Sequence, residues 1–522
     1  MKRINTIAAL TMMVISIMTG LMSCGGDDPN EEPTPQITIN LRSCSITDGA
    51  EYKTSELTEV TLTYNNLVAV SSSANITLNG TRCAAASSSV TAMEVIVTLP
   101  TLEEGQSYTL IIPEGAIVGK NDATALAAAF TVSFTTKAAP QPVDNSATAL
   151  AKRLGWGWNL GNHFDTSSGE DGKHPQWGYW DNATPTAALY TSLKAAGAST
   201  VRIGTTWGNY QNTTDWTIEA DYMAEVRQNV LWAGAAGLNV ILNMHHDEYW
   251  LDIKTAASNS AVNTTIKERI TKTWTQIAEA FKDQGSYLFF ETFNEVQDGG
   301  WGWGANRTDG GKQYATLNEW NQTAVDAIRA TGGNNATRWI GVPGYASSPT
   351  FVLISEFQMP TDAASRLMVS VHFYDPSTFT LTPVANGKTE WGHTAAAGKY
   401  ETGSNEDHVV DTFAQLYAKF IAQDIPVYIG EYGCVMHTTD RSNLFRNYYL
   451  EYVCRAAHEY SMPLCIWDNN VTGSGDEHHA YFNHSNGDYQ SGMQTLVQTM
   501  IKAATSDDAS YTLESVYNSA PQ

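Results

Sequence analysis

The spacing of hydrophobic positions changes once along the chain. Between residues 37 and 137, apolar and polar residues alternate in short runs, as in Glu59–Tyr64 and Phe130–Thr136. Alternation with a period of two predicts strands, and the Gly, Ser and Asn turns between closely spaced runs favour an antiparallel sandwich. From residue 155 onward, continuous apolar runs alternate with longer segments of helical period. This second pattern predicts buried parallel strands joined by helices.

Eight apolar runs in the second region are predicted strands: 155–160, 200–204, 239–244, 287–293, 338–342, 368–373, 427–430 and 464–467. Helical period predicts helices over 184–197, 218–237, 264–284, 314–331, 407–423 and 443–460, with a short helix within 349–357. Eight strand–helix units predict an α/β fold, a (β/α)8 TIM barrel. The β-rich region before it resembles bacterial immunoglobulin-like modules in its patterning.

The first residues have the pattern of a targeting signal. Lys2 and Arg3 precede an apolar run too short to span a bilayer, and Leu21-Met22-Ser23-Cys24 resembles the lipobox of bacterial lipoproteins. Cys24 is then the lipidated residue; an ordinary secretory signal is the alternative. The predicted parts are a signal peptide (1–23), an acidic Pro-rich tether (24–36), the sandwich (37–137), a linker (138–149), the barrel (150–510) and a C-terminal tail (511–522). We expect a protein of the cell envelope, attached to the outer membrane only through lipid.

Composition narrows the possible partners. The formal charge is −24, whereas nucleic-acid binding needs clustered Lys and Arg, so we expect no nucleic-acid partner. The same charge disfavours an anionic polymer and favours a neutral ligand. The chain contains 15 Trp and 24 Tyr, and aromatic faces are suited to holding sugar rings. We therefore expect a polysaccharide partner and a monomeric protein.

The sandwich carries no obvious chemistry. It contains no Trp, so a spacer is favoured over a carbohydrate-binding module. Cys44 and Cys83 fall in this segment and are candidates for a disulfide, since the envelope permits oxidation. No Cys-x-x-Cys spacing occurs, which argues against a structural zinc site.

Polar side chains gather where the predicted barrel strands end. This is the face at which such barrels place their chemistry, and a buried charge without a partner is costly. The residues at strand ends are Asn159, Asn162, Arg202, His245, His246, Asn294, Glu295, His372, Tyr374, Glu431 and Trp467. Only the fifth strand, ending in Val342-Pro343, contributes none. A buried structural ion pair is the alternative explanation for each glutamate and for Arg202.

Seven motifs in order resemble glycoside hydrolase family 5, the cellulase family of retaining β-glycanases, over about residues 150–502. They are Gly157-Trp158-Asn159-Leu160-Gly161-Asn162, Val201-Arg202-Ile203, Leu242-Asn243-Met244-His245-His246, Phe293-Asn294-Glu295, Val371-His372-Phe373-Tyr374, Ile429-Gly430-Glu431-Tyr432-Gly433 and Ile466-Trp467-Asp468. The resemblance implies that Glu295 is the acid/base and Glu431 the nucleophile. It also implies supporting roles for Arg202, His245, Asn294, His372, Tyr374 and Trp467.

The implied reaction is retaining hydrolysis of internal β-1,4 bonds in cellulose, mixed-linkage glucan or xyloglucan, without a cofactor. Physical chemistry is consistent with these roles: Arg202 beside Glu431 favours an ionised carboxylate, and burial favours a protonated Glu295. Asn294 is expected to bond the 2-hydroxyl of the sugar. The alternatives are an endo-β-1,4-mannanase and a non-catalytic surface glycan-binding lipoprotein.

Other side chains are expected to contact substrate or to bind nothing. The loop tryptophans are Trp177, Trp180, Trp207, Trp250, Trp301, Trp303 and Trp391, and we expect about half of them to face the cleft. We include Asn162, His246 and Trp301 among the substrate-binding residues. His163 departs from the family pattern and is expected to touch a sugar. The run His245-His246-Asp247-Glu248 invites a metal site, but adjacent strand residues point to opposite sides, so we predict none.

Overall fold

The computed structural model describes residues 37–88, 92–137, 145–172, 176–181, 183–382 and 387–522. The chain divides into two compact units, one ending at Val143 and the other beginning at Asp144. The predicted signal peptide, Cys24, the tether and residues 138–144 of the predicted linker lie outside the described residues. Within those described, no helix has the length and apolar character needed to cross a bilayer.

The first unit is all-β. Its strands are β1 Leu41–Cys44, β2 Ala50–Tyr52, β3 Glu59–Tyr64, β4 Val68–Val70, β5 Thr77–Leu78, β6 Thr81–Arg82, β7 Ala84–Ser87, β8 Glu94–Thr98, β9 Ser107–Ile112, β10 Ile117–Gly119 and β11 Phe130–Thr136. They form sheets of order β1-β3-β8-β7 and β2-β11-β9-β5-β6, and a smaller pair β10-β4. Alternate residues of β3 (Val60, Leu62 and Tyr64) enter a common core with those of the other strands, as a period of two predicts.

Cys44 and Cys83, the candidates for a disulfide, do not form one, because both cysteines are free. Cys44 ends β1, and Cys83 immediately precedes β7. These strands are the two opposite edges of one four-stranded sheet. Three strand spacings of about 4.8 Å separate such edges, well beyond the roughly 7 Å that a disulfide can bridge between Cα atoms.

The second unit is a closed eight-stranded barrel, and the predicted (β/α)8 fold is confirmed. Its strands, in order around the barrel, are β12 Trp156–Leu160, β13 Thr200–Ile203, β14 Asn239–Asn243, β15 Leu288–Glu291, β16 Ile340–Pro343, β17 Leu367–Phe373, β18 Val427–Tyr432 and β19 Leu464–Ile466. Every neighbouring pair is parallel, and β19 closes onto β12.

Helices cover the outside of this barrel. The described helices are α1 Ala147–Leu154, α2 Ala187–Ala196, α3 Ala220–Ala235, α4 Ile253–Ala256, α5 Ser260–Phe281, α6 Lys312–Ala330, α7 Pro349–Leu353, α8 Ser377–Thr380, α9 Glu406–Lys419, α10 Asp440–Glu459, α11 Gln494–Thr505 and α12 Leu513–Tyr517. Local chemistry sets several ends. Asn259 caps α5 by accepting from two backbone N–H groups, and Gly197 stops α2 in the left-handed region that glycine favours.

Residues 511–522, predicted as a tail, belong to the packed structure. Thr512 and Ser515 form a capping box that starts α12. Val516 and Ala520, spaced four apart, are both buried in the main core of the barrel unit. The apolar pair is too short for a periodic signal, which explains why the pattern did not reveal this helix.

Candidate active site

Arg202 is the centre of a buried polar network inside the barrel. Its neighbours Val201 and Ile203 belong to the main core, while Arg202 itself is fully buried among polar groups. All five N–H groups of its guanidinium face an acceptor. These are Glu291 Oε2 at 2.7 Å from Nε, Asn159 Oδ1 at 3.0 Å and Glu431 Oε1 at 2.8 Å from Nη1, and Asn294 Oδ1 at 2.7 Å and His372 Nε2 at 3.4 Å from Nη2. An arginine side chain has no further donors, so every donor of Arg202 has an acceptor.

Glu291 is a site residue that the sequence analysis missed. Burial raises the pKa of Glu291, but Arg202 outweighs it and the net pKa is lowered. The Glu291 carboxylate also accepts from Asn243 Nδ2 at 3.1 Å and from Ser370 Oγ at 2.5 Å. The available signal was a single charged residue inside the apolar run Leu288–Glu291. Burial likewise lowers the pKa of Arg202, and Glu291 and Glu431 together hold it above its ordinary value.

Glu431 lies near the end of β18, facing His372 of β17 across a register shift between the two strands. Its Oε1 accepts from Arg202, and its Oε2 accepts from the Tyr374 hydroxyl at 3.0 Å. Acceptance at both oxygens suits a carboxylate, which carries no proton to donate. The side chain keeps a small exposed area.

Glu295 has the opposite electrostatic environment. Its pKa is raised to about 7, chiefly by burial, with His246 opposing the shift and Glu248 adding to it. Its Oε1 lies 2.6 Å from His372 Nδ1. Because Arg202 can only donate to Nε2 of His372, the imidazole proton belongs on Nδ1 and points at Glu295. Burial lowers the pKa of His372 to about 4, so this imidazole is neutral near pH 7.

The two carboxylates face each other closely. One oxygen of Glu295, one of Glu431 and a nitrogen of His372 all lie within 4.8 Å of one another. One carboxyl has a pKa of about 7 and so keeps its proton in a large share of the molecules at neutral pH, while the other is ion-paired with Arg202. Such a pair can deliver a proton to a leaving oxygen and a nucleophile to the adjacent carbon.

Two clusters have the ligand types of a cation site, the Glu295, His372 and Glu431 set and a second of Asp165, His245 and His246. In each cluster, one histidine nitrogen already makes a hydrogen bond within the protein. His372 Nδ1 donates to Glu295, and His245 Nδ1 accepts from Asn243 Nδ2 at 3.1 Å, which leaves the proton on Nε2. Binding a metal at His372 Nδ1 would require that imidazole to change tautomer, and binding one at His245 Nδ1 would displace the Asn243 amide.

Trp467 forms a supported aromatic surface beside the carboxylates. Its ring stacks on the His245 imidazole, with centroids 5.7 Å apart and planes 12° from parallel. Gly161 allows this position, since a Cβ there would lie 2.8 Å from the indole. A Cβ on Gly204 would lie 2.7 Å from His245 Nδ1. The two glycines therefore set where the indole and the imidazole can lie.

Asn294 presents an unused donor to the site. Its Oδ1 accepts from Arg202, which fixes the orientation of the amide. Its Nδ2 is buried and has no hydrogen-bond acceptor among the described residues. A buried N–H without a partner costs roughly 1–3 kcal/mol. An amide held this way is prepared for an acceptor that arrives with a ligand.

The remaining predicted binding residues lie around the rim. Asn162, at positive φ, donates its backbone N–H to Asp165 Oδ2 at 2.9 Å. His246 is half-buried, with Nδ1 3.4 Å from Glu248 Oε1 and its ring 5.9 Å from that of Trp180. Of the seven loop tryptophans, Trp180 (39% exposed), Trp301 (57%) and Trp303 (82%) are open to solvent. Trp207, Trp250 and Trp391 are core residues, and Trp177 is partly buried against the core.

The loop that carries Trp301 and Trp303 is internally braced. The Asp298 carboxylate accepts from the backbone of Gly300 and Asn306. The Arg307 guanidinium lies 4.6 Å from the Trp303 ring centroid, and its Nε donates to the Gly302 carbonyl. An indole this exposed is held in place by the loop rather than by burial.

His163 belongs to a second buried network instead of an exposed sugar-binding surface. His163 Nδ1 lies 3.3 Å from Asp181, whose other oxygen lies 3.0 Å from His484 Nδ1. His484 Nε2 lies 3.2 Å from Asp468, the residue after Trp467. Burial lowers the pKa of His484, but the two aspartates outweigh it and raise the pKa to about 9. An imidazolium thus links the loops that follow β12 and β19.

The chain is similar to known proteins over its barrel unit. Residues 161–473 match the family described as cellulase (glycosyl hydrolase family 5). A broad-specificity endoglucanase from Bacteroides salanitronis, of known structure, is 45% identical with a TM-score of 0.66, over 70% of this chain and 97% of that one. Endoglucanase A of Paenibacillus barcinonensis is 32% identical over 369 residues, which are 67% of this chain and 89% of that protein. The xyloglucan-specific endo-β-1,4-glucanase of Bacteroides ovatus is 32% identical over 340 residues, 63% of this chain and 66% of its own.

Proposed function

The chain belongs to the cellulase family, glycosyl hydrolase family 5, and on this basis we propose that it is an endo-β-1,4-glucanase that retains anomeric configuration. The observation that carries the proposal is the pair of carboxylates whose oxygens lie within 4.8 Å. Retaining glycosidases hold their two carboxyl groups about 5 Å apart, whereas inverting enzymes need roughly 6.5–9.5 Å to admit a water.

In the first step, Glu295 gives its proton to the glycosidic oxygen as the bond to the anomeric carbon breaks. Its raised pKa, about 7, keeps the proton available at neutral pH. Glu431 attacks the anomeric carbon and forms a glycosyl ester. Arg202 and Tyr374, which donate to the two Glu431 oxygens, hold that carboxylate in position for the attack.

In the second step, Glu295, now a carboxylate, accepts a proton from water. The resulting hydroxide equivalent attacks the anomeric carbon and releases Glu431. Asn294 Nδ2 is the donor that we assign to the sugar 2-hydroxyl, because it is the buried amide group without a partner. Trp467 is the apolar surface under the reacting ring, and His245 supports it from behind.

We infer that the substrates are β-1,4-linked glucans, including mixed-linkage glucan and xyloglucan. The relatives with endoglucanase and xyloglucanase names support glucan over mannan. Exposed Trp180, Trp301 and Trp303 suit the flat apolar faces of β-linked glucose rings. Trp301 and Trp303 follow the acid Glu295 in sequence, so we assign them to the sugars of the leaving group.

The test measures initial reducing-sugar release from carboxymethyl-cellulose, barley β-glucan, xyloglucan and glucomannan, with the anomer of the first product followed by NMR. We expect glucan hydrolysis with β product first, and loss of at least about 10³-fold in kcat for Glu295→Gln and Glu431→Gln. Glu319→Gln, a surface carboxylate paired with Lys267, is the matched control. Release from mannan alone would indicate a mannanase, and binding without release a glycan-binding lipoprotein. Initial α product would contradict retention.

We further propose that Cys24 is lipidated and that the enzyme is a monomer anchored at the outer membrane, with the β-rich unit as an immunoglobulin-like spacer. Support comes from the lipobox-like Leu21-Met22-Ser23-Cys24 and from the lack of Trp in residues 37–137. Labelled palmitate should be incorporated by the native chain and not by Cys24→Ser. Equal incorporation by both proteins would contradict the anchor.

A further inference from the structure

Arg446 of α10 is a buried cation without an acidic partner. Its side chain belongs to a residue only 2% exposed. Nε donates to the Cys434 carbonyl at 2.8 Å, and Nη1 points at the Met493 sulfur at 4.0 Å, a weak acceptor. The guanidinium also lies 5.3 Å from the Tyr481 ring centroid. Among the described residues no carboxylate lies within ion-pair distance, so none of the donors of this arginine has an acceptor of opposite charge.

Arg446 is one of the residues that line a cavity of about 160 Å³. The cavity lies beneath the loop that follows β19, the loop that begins with Trp467. Met436, Met493 and Ala480 supply apolar walls, and Thr472 and Ser491 add hydroxyl-bearing residues to its lining. Polarisable sulfur and methyl groups around a cation favour a weakly hydrated anion over a strongly hydrated one.

Neighbouring groups respond to the uncompensated charge. Burial and then Arg446 and His478 lower the pKa of His479 to about 3, and both ring nitrogens of that histidine lack partners in the described structure. Burial and then Arg446 lower the pKa of His437 to about 4. A buried charge of this kind is normally neutralised by a counter-ion or by hydrogen bonds.

We propose that this cavity binds a small monovalent anion of about the size of chloride, which pairs with Arg446. The anion accepts the guanidinium donors that the protein leaves free. It neutralises the charge beneath the loop that leads from Trp467 to α11. This site is separate from the carboxylate pair, so the proposal does not depend on the hydrolytic reaction.

The test uses the full chain and follows thermal unfolding by Trp fluorescence, since all 15 tryptophans lie at or beyond residue 156 and report only the barrel unit. Sodium chloride replaces sodium gluconate at constant ionic strength, so that only the anion changes. A ligand that binds only the folded state raises the unfolding midpoint and saturates, here by on the order of 2 °C at tenfold excess over Kd.

Two variants and one crystallographic measurement make the test specific. Arg446→Gln should abolish the chloride effect. Arg441→Gln, which removes an exposed guanidinium paired with Glu390, should retain it. Should the Arg446 variant fail to fold, crystals of the native protein in bromide decide the matter. An anomalous peak within about 3.5 Å of the Arg446 nitrogens supports the site. A midpoint independent of chloride, or no bromide peak in the cavity, overturns it and leaves water as the occupant.

Discussion

Replacing Glu291 by glutamine tests whether buried charge pairing holds the active site together. Glu291 and Arg202 are both fully buried, and the carboxylate accepts from Arg202, Asn243 and Ser370. The Glu291→Gln variant keeps the shape of the side chain but removes one of the two carboxylates that Arg202 contacts. The new amide NH2 can find an acceptor only on the side of the Ser370 hydroxyl, because the Arg202 and Asn243 groups on the other side can only donate. Removing one partner of a buried ion pair costs about 3–5 kcal/mol, and we expect this loss in the free energy of unfolding.

The assay is urea unfolding followed by Trp fluorescence, which reports the barrel alone because residues 37–137 contain no Trp. The control is Glu319→Gln, whose partner Lys267 lies 3.1 Å away with both side chains largely exposed to solvent. Exposed pairs contribute at most about 1 kcal/mol, so the control should unfold nearly as the native protein does. A loss below about 1 kcal/mol for Glu291→Gln would refute the reasoning, because Arg202 would then be held well enough by Glu431 and its neutral acceptors.

Four further predictions concern catalysis, the second network and the rim. Because the Glu295 pKa is about 7, kcat/KM should fall about tenfold per pH unit above that value; a flat alkaline profile would contradict its role as the acid. Asn294→Ala should lower kcat by about 10²-fold on glucosides and far less on 2-deoxyglucosides, and equal losses would disprove the 2-hydroxyl contact. His484→Asn should lower the free energy of unfolding in urea by about 3–5 kcal/mol. The control His458→Asn, at a more exposed histidine, should lower it by less than about 1 kcal/mol. The raised His484 pKa means that its stabilisation is complete below about pH 6.5 and is lost as pH rises through about 9, which unfolding at several pH values should show. Trp303→Ala should raise KM for polysaccharide about two- to tenfold with kcat unchanged, and an unchanged KM would remove Trp303 from the binding surface.

Hydrophobic patterning was sufficient to predict the barrel. All eight strands occur within a few residues of their predicted positions, because parallel strands covered on both faces leave continuous apolar runs. The predicted fold likewise placed Arg202, Glu295 and Glu431 in one site, because a parallel barrel brings the carboxyl ends of its strands to the same face. The sequence could predict this much without knowledge of any side-chain contact.

Other features depend on contacts between distant positions. Glu291 belongs to an apolar strand, and only the closed barrel, in which β14 separates β13 from β15, shows that it faces Arg202. His163 was expected to touch a sugar, but its imidazole lies beside Asp181, 18 residues away in the sequence. Asp181 in turn contacts His484, which is 303 residues away from it. The Cys44–Cys83 disulfide failed because sheet order, which local pattern does not encode, separates the two edges. These misses concern tertiary pairing, whereas helix α12 in the predicted tail was missed because its apolar pair is too short for a periodic signal.

The saturated guanidinium of Arg202 has a consequence for protein engineering. Lysine offers three donors without a planar fork, so no other natural side chain can replace an arginine whose five N–H groups all have acceptors. Directed evolution of this enzyme should therefore leave the barrel interior invariant. Useful changes of substrate range should accumulate in the solvent-exposed rim, where Trp180 and Trp303 can be exchanged without disturbing any buried charge.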